Sequence, residues 1–218
     1  MKTENDTRLF NTVDFEAVLK LCDTAREHHL MIGLTGDTGT GKTTATREYA
    51  KRDGVTRVSY EKSMNPRLFF VMLLREMGVD HEGNIHDMIN KVADTLNEIQ
   101  APLLIIDEAG KMPHAMILHL HDLREKIKDH AGIVLAGMPY FKTNLQKFAS
   151  KGKEGCSEFF RRVNLWHTLE GLSAGEARAI CQASGIKDPE RLRELSRKRR
   201  FGDLVNEIVL EEILSGKL

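Results

Sequence analysis

The sequence predicts an α/β fold, a five-stranded parallel sheet interleaved with helices and followed by a small all-helical lid. Three observations carry that prediction. Leu30–Thr44 reads L-M-I-G-L-T-G-D-T-G-T-G-K-T-T, an apolar run that turns through glycines into a helix-like segment. Pro102–Glu108, P-L-L-I-I-D-E, is a second apolar run, closed by two acids, and such runs suit strands buried on both faces of a parallel sheet. Beyond Ser173 the composition becomes helical and charged, with no further strand. The expected division is therefore an α/β domain over residues 1–170 and a helical lid over 171–218.

Taken in order, Phe15, Val18, Leu19, Cys22 and Ala25 form the apolar stripe of an amphipathic helix over Asp14–His28. Leu30–Thr35 is the first strand and Thr43–Lys51 the helix after the glycine turn. Asp53-Gly54 breaks the pattern, and Thr56–Tyr60 has the β-branched and aromatic content of a second strand. Pro66–Met77 and His86–Ile99 both carry helical periodicity, separated by the polar, glycine-bounded G-V-D-H-E-G-N. Pro102–Ile106 is the third strand, His114–His130 a helix, and Gly132–Ala136 a fourth strand. Pro139–Ala149 reads as a helix and S-K-G-K-E-G as a loop. A short helix then carries Arg161 and Arg162 into a fifth strand near Val163–His167. Three lid helices follow over Ser173–Ser184, Asp188–Arg199 and Asp203–Ser215, the first opened by a capping-box pattern, S-A-G-E.

Composition narrows the function classes. Thirty-two basic and thirty-two acidic residues cancel, so no global field draws the 218-residue chain to nucleic acid or membrane. Any such contact must come from local patches. Cys22, Cys156 and Cys181 form no C-x-x-C pair, which disfavours a zinc or disulfide framework and suits a reducing cytoplasm. The polar start M-K-T-E-N-D-T-R has no apolar core of a signal peptide, and no run is long enough to span a membrane. Among nine histidines, His114, His119, His121 and His130 cluster without the spacing that puts three on one helix face. Phe69, Phe70, Phe159, Phe160 and Trp166 are expected in the core.

The glycine turn matches G-x-x-x-x-G-K-T between a strand and a helix, the setting this motif requires. Gly36, Asp37, Thr38, Gly39, Thr40 and Gly41 form a loop whose backbone N–H groups point inward at phosphate oxygens. Lys42 reaches the β- and γ-phosphates of ATP, and Thr43, followed by Thr44, holds Mg²⁺. Acids at the carboxyl end of the third strand stand where open α/β folds bind ligands. Asp107 there completes the Mg²⁺ environment, and Glu108 polarises the attacking water.

With this loop, the Asp107-Glu108 strand, five strands alternating with helices and a helical lid, the chain resembles the AAA+ ATPases over nearly its whole length. Within them, G-D-T-G-T-G-K-T-T-A-T-R-E-Y-A, L-L-I-I-D-E-A and V-L-A-G-M-P look most like the DNA-transposition ATPases related to the B protein of phage Mu. The resemblance implies a homo-oligomer in which a neighbour's arginine completes each nucleotide site, here Arg162 as first choice or Arg161. It also implies an ATP hydrolase that assembles on double-stranded DNA as a filament and delivers target DNA to a transposase.

Two departures from the family pattern imply slow, partner-stimulated hydrolysis. Gly137 and Met138 end the fourth strand where a polar residue is common, and Arg199 and Arg200 precede Gly202 rather than opening the third lid helix. The residues before Leu30 are too few for a helix-turn-helix domain, so DNA contact is expected from the ATPase core. Candidates are Lys62 and Arg67, and, in the basic run R-L-R-E-L-S-R-K-R-R, Arg197, Lys198, Arg199 and Arg200. Competing readings are an AAA+ ATPase for secretion or envelope assembly without DNA, and a replication-initiator or helicase-loader ATPase.

Overall fold

The computed structural model describes residues 9–214; the polar segment 1–8 and residues 215–218, which include the end of the last expected helix, lie outside them. Five strands form one parallel sheet in the order β2-β3-β4-β1-β5: β1 (Met31–Thr35), β2 (Val55–Ser59), β3 (Leu103–Asp107), β4 (Gly132–Gly137) and β5 (Leu165–Thr168). Residue chemistry sorts the strands. The apolar M-I-G-L-T, L-L-I-I-D and G-I-V-L-A-G are buried along their length and take the three inner places. V-T-R-V-S and L-W-H-T, with polar residues interleaved, are only partly covered and form the edges.

Ten helices connect and extend the sheet among the described residues: α1 (Val13–Glu27), α2 (Lys42–Tyr49), α3 (Pro66–Glu76), α4 (Ile85–Glu98), α5 (His114–Ile127), α6 (Tyr140–Ser150), α7 (Cys156–Arg162), α8 (Ala174–Ala183), α9 (Pro189–Leu195) and α10 (Phe201–Leu214). Their starts are written in the sequence. Asn65 caps α3 with Pro66 at its first position, Asn84 and Asp87 form a capping box on α4, Ser173 and Glu176 form one on α8, and Asp188 caps α9. Each such side chain satisfies an amide that the helix leaves without a partner.

Two expectations for the C-terminal helices need correction. The basic helix expected over Asp188–Arg199 stops at Leu195, because only Leu192 and Leu195 have an apolar face to bury. Beyond them the Arg199 carbonyl accepts from Leu172 N–H at 2.7 Å instead of from a following helical turn. The last helix starts at Phe201 rather than Asp203, since Phe201 packs edge-on against Phe10 with ring centroids 6.2 Å apart. A one-turn 3-10 helix, Ala109–Lys111, follows β3 and has no periodic signature in the sequence.

The chain divides into two compact units. The larger comprises Val18–Asp37 and Lys42–Leu169. Its core joins Met31, Leu104, Ile106, Ile133 and Leu135 of the sheet to Phe69, Phe70 and Leu73 of α3, Met88 and Leu96 of α4, and Leu120 and Leu123 of α5. The smaller comprises the residues up to Ala17, Thr38–Gly41 and the chain from Glu170. It is built around Leu172, Ala177, Ile180, Cys181, Leu192, Leu195, Leu204 and Ile208, with Phe10 and Phe201 against them.

Candidate functional site

The turn from β1 into α2 takes the backbone geometry that its glycines allow. Gly39 (φ 77°) and Gly41 (φ 91°) lie in the left-handed region, and a Cβ placed on Gly41 would meet nothing within 4 Å. That leaves open room for a ligand at a backbone position where an L side chain would be strained. Gly36 ends the strand without needing a left-handed conformation. Asp37 and Thr38 are exposed, Thr40 is buried, and Lys42, Thr43 and Thr44 open α2 half-buried.

Lys42 Nζ donates to the carbonyls of Gly36 (2.7 Å) and Asp37 (2.8 Å). Burial pushes its ammonium below the ordinary lysine value, while Asp107, Glu108 and Asp37 push it back up. Those opposing influences place a desolvated cation in the field of both acids that end β3. Such a group suits charge compensation of a polyphosphate.

Asp107 is 1% exposed, a buried carboxylate that must be paired. Its Oδ1 accepts from Glu108 N–H at 2.9 Å, and its Oδ2 accepts from Arg57 Nη2 at 2.6 Å. Arg57 Nε also reaches Thr46 Oγ1 (3.3 Å), and that hydroxyl donates to the Thr43 carbonyl (3.2 Å). A polar chain thus runs from β3 through β2 to the first turn of α2. Glu108 stands in the left-handed region at φ 57°, as do His29 and Ala101 among non-glycine residues. Its carboxylate lies 3.2 Å from Lys111 Nζ. A left-handed glutamate is a strained backbone element.

Together Lys42, Thr43, Asp107 and Glu108 supply a cation, a hydroxyl and two carboxylates at the carboxyl end of the sheet. The oxygen donors Thr43 and Asp107 suit a hard divalent cation such as Mg²⁺. β1 and β3 flank β4, and their ends are level in register, with Thr35 opposite Gly137 and Ile106 opposite Leu135. At Gly137 a Cβ would stand 3.1 Å from Gly110 N, so a side chain there would need the neighbouring backbone to give by a few tenths of an ångström.

Arg162 is tied to Glu125 of α5 at 2.5 Å while remaining nearly half exposed. Arg161, beside it at the end of α7, is exposed. The residues expected to meet DNA fall in both units. Lys62 is exposed in the larger one, where Arg67 Nη1 donates to Gly83 O at 2.6 Å. In the smaller one, Arg191 holds Glu194, Glu207 and Glu211 at 2.7, 2.8 and 2.7 Å, and Lys198 holds Glu207 at 3.0 Å. Those cations of the basic run are therefore neutralised within the smaller unit. Arg197 and Arg199 stay exposed, with Arg199 Nη2 3.4 Å from Glu170 O. The exposed Arg200 immediately precedes α10, whose Gly202 N–H donates to Gly39 O at 3.0 Å.

The histidines do not converge. His114 Nε2 lies 2.6 Å from Glu154 O and His130 Nε2 lies 3.0 Å from Ile99 O. Among the described residues no three metal-binding side chains cluster. No described helix is long and apolar enough to cross a membrane.

Sequence reading missed Arg57. Its only signal was a basic residue inside T-R-V-S-Y, and its partner stands 50 residues away.

Comparisons with known proteins place this geometry in a family. No curated protein matches the sequence. Among solved structures, the chain is similar to the Aeropyrum pernix ORC1 protein in complex with DNA (14% identity, TM-score 0.65, 94% of this chain and 60% of that one). It is also similar to the Aeropyrum pernix ORC2 protein in ADPNP-ADP complexes (15%, 0.59, 78% and 50%). AMPPCP-bound DnaA from Aquifex aeolicus gives 14%, 0.59, 93% and 62%. At such identities the likeness is one of fold, and the chain spans only about half to three-fifths of the length of these proteins. The model of the family described as AAA domain matches residues 25–145, which run from the end of α1 through the phosphate loop and the Asp107-Glu108 strand into α6. That stretch is more than half of the chain, and the protein belongs to the AAA domain family.

Proposed function

We propose that the protein is an ATP-dependent AAA+ ATPase that binds duplex DNA without sequence preference, assembles on it as a homo-oligomer and delivers target DNA to a transposase. The observation that carries the ATPase reading is the glycine turn with Gly39 and Gly41 in the left-handed region leading into Lys42, whose ammonium sits on the Gly36 and Asp37 carbonyls within the electrostatic field of Asp107 and Glu108. Lys42 compensates the β- and γ-phosphates. Glu108, fixed by its Asp107 contact and by Lys111, orients and polarises the attacking water. Thr43 and Asp107 would hold Mg²⁺, which supplies charge neutralisation at the phosphate oxygens. A neighbouring subunit's Arg161 or Arg162 would complete the site. Loss of the γ-phosphate then weakens assembly, and hydrolysis releases subunits from DNA.

DNA contact is assigned to Lys62, Arg67, Arg197 and Arg199, with Lys198 and Arg200 beside them. The residue run L-L-I-I-D-E-A and its companions support the transposition role. A second reading, a replication-initiator or helicase-loader ATPase, draws support from the fold shared with ORC1, ORC2 and DnaA. Both readings expect salt-sensitive DNA binding that requires ATP.

Glu108→Gln tests the cycle. The variant should bind ATP, hydrolyse it at least a hundredfold more slowly, on the scale of a lost general base, and remain as filaments on random duplex DNA by electron microscopy. Disassembly as fast as in the wild type would overturn the hydrolysis-release scheme, and a closed ring indifferent to DNA would overturn the DNA reading. Stimulation of turnover by a transposase separates the transposition role from the initiator role.

A further inference from the structure

The ion pair between Arg57 and Asp107 joins a strand-edge residue to the acid assigned to the metal. Arg57 lies on β2 opposite Ile105, so its side chain shares a sheet face with Asp107 two residues along β3. The pair is sequestered: the side chain of Arg57 is 17% exposed and that of Asp107 2%. Both oxygens of Asp107 are engaged, one by Arg57 Nη2 and one by Glu108 N–H. Arg57 is anchored on its other side by Thr46, which is itself fully buried and bonded to the Thr43 carbonyl. The same guanidinium therefore touches the acid expected to serve Mg²⁺ and the helix turn that carries the hydroxyl expected to serve it.

We propose that Arg57 is a positioning residue that competes with the divalent cation for Asp107 and so sets the Mg²⁺ dependence of nucleotide binding. This rests on the ATPase reading above. A buried carboxylate needs a positive partner. Arg57 fills that need in the protein itself, and a cation approaching Asp107 meets both a neutralised carboxylate and a repelling guanidinium. Lys42, the other cation in the field of Asp107, is held on the carbonyls of Gly36 and Asp37, so the contact to Asp107 Oδ2 belongs to Arg57. The closeness of Arg57 to Thr46 links this competition to α2.

The test is an Mg²⁺ titration of the full chain, read by the fluorescence of a non-hydrolysable ATP analogue carrying an N-methylanthraniloyl group. Arg57→Met should lower the Mg²⁺ midpoint by on the order of tenfold or more, tenfold being the effect of one unit charge about 5 Å from a divalent cation even under screening close to that of bulk water. Arg57→Lys, which keeps the charge, should stay within about threefold of the wild type, less than the effect of a full charge. Thermal melting of Arg57→Met should be depressed without Mg²⁺ and recover with Mg²⁺ and analogue by more than the wild type gains.

Should Arg57→Met fold only with Mg²⁺ and analogue present, the cation has replaced the guanidinium, and the proposal stands. An unchanged or raised midpoint in a folded Arg57→Met protein overturns it, as does failure of both Arg57→Met and Arg57→Gln to fold with Mg²⁺ and analogue. A wild type whose analogue binding ignores Mg²⁺ overturns the underlying ATPase reading as well. That failure is distinguishable because it appears before any substitution is made.

Discussion

Tyr49, at the end of α2, buries its ring and donates its hydroxyl to Asp23 at 2.6 Å, with the Arg52 guanidinium 4.2 Å from the ring centre. Burial first, and the Asp23 carboxylate next, push the phenol up from 10.0 to about 12. A raised value means that the folded state favours the protonated form. Its contribution to stability is complete below pH 10 and is lost as pH rises through about 12. Tyr49→Phe should cost about 1 kcal/mol near neutral pH through the lost hydrogen bond. It should also lose less stability than the wild type between pH 10 and 12, measured by urea unfolding at stepped pH. Parallel pH profiles for the two proteins would count against this assignment. At this same scale, Lys42, Thr43, Asp107 and Glu108 were legible because the chain itself fixes their spacing around one turn and one strand end. Arg57 was not, because its role depends on the register of β2 against β3, which local sequence does not encode.

Among the elements, β1 and β5 meet at a glycine for a steric reason. A Cβ on Gly33 would stand within 2.7 Å of three carbons of the Trp166 indole, whose strand pairs Gly33 with Trp166 directly. Gly33→Ala should therefore destabilise the larger unit by about 1–3 kcal/mol, the usual cost of overpacking. Thermal melting checks this, and an unchanged midpoint would mean that the indole can move aside freely. Trp166→Leu in the same background should recover part of the loss.

Strand and helix order were readable from periodicity, since apolar runs chose the inner strands, and the Ser173–Glu176 capping box marked one helix start; the caps at Asn65, Asn84 and Asp188 emerge from the structure. The end of α9 was not readable. Charge spacing over Arg191–Arg200 looks helical, but helix stability comes from burying a face, and none remains beyond Leu195. Between β2 and β3, α3 and α4 turn Phe69, Phe70, Leu73, Leu74, Met88, Val92 and Leu96 into the core, as their apolar periodicity indicates.

For the whole molecule, thirty-two basic and thirty-two acidic residues cancel, so electrostatic association has to come from local patches rather than from a global field. Arg161 and Arg162 leave α7 side by side, one exposed and the other paired with Glu125. A partly exposed ion pair of this kind holds its partners by about 1 kcal/mol or less, so the Glu125 contact does not bar Arg162 from the intersubunit role proposed above. If a neighbour's arginine completes the site, as proposed, alanine at each position separately should identify it. That variant should keep nucleotide affinity and lose roughly 10³-fold or more of DNA-stimulated turnover, while the other changes little. Wild-type turnover in both single variants would remove the composite site from the scheme.

Trp166 is the sole tryptophan of the chain. Its ring lies against the Cα of Gly33, stacks on Phe160 with centroids 5.9 Å apart and meets Phe141 edge-on. Phe160 immediately precedes Arg161, and Gly33 lies three residues before the loop glycine Gly36. The protein therefore carries a single tryptophan, excitable apart from its three tyrosines, between the strand that feeds the glycine turn and the helix that ends in Arg161 and Arg162. Emission recorded at one wavelength, without any label, reads the environment of both at once.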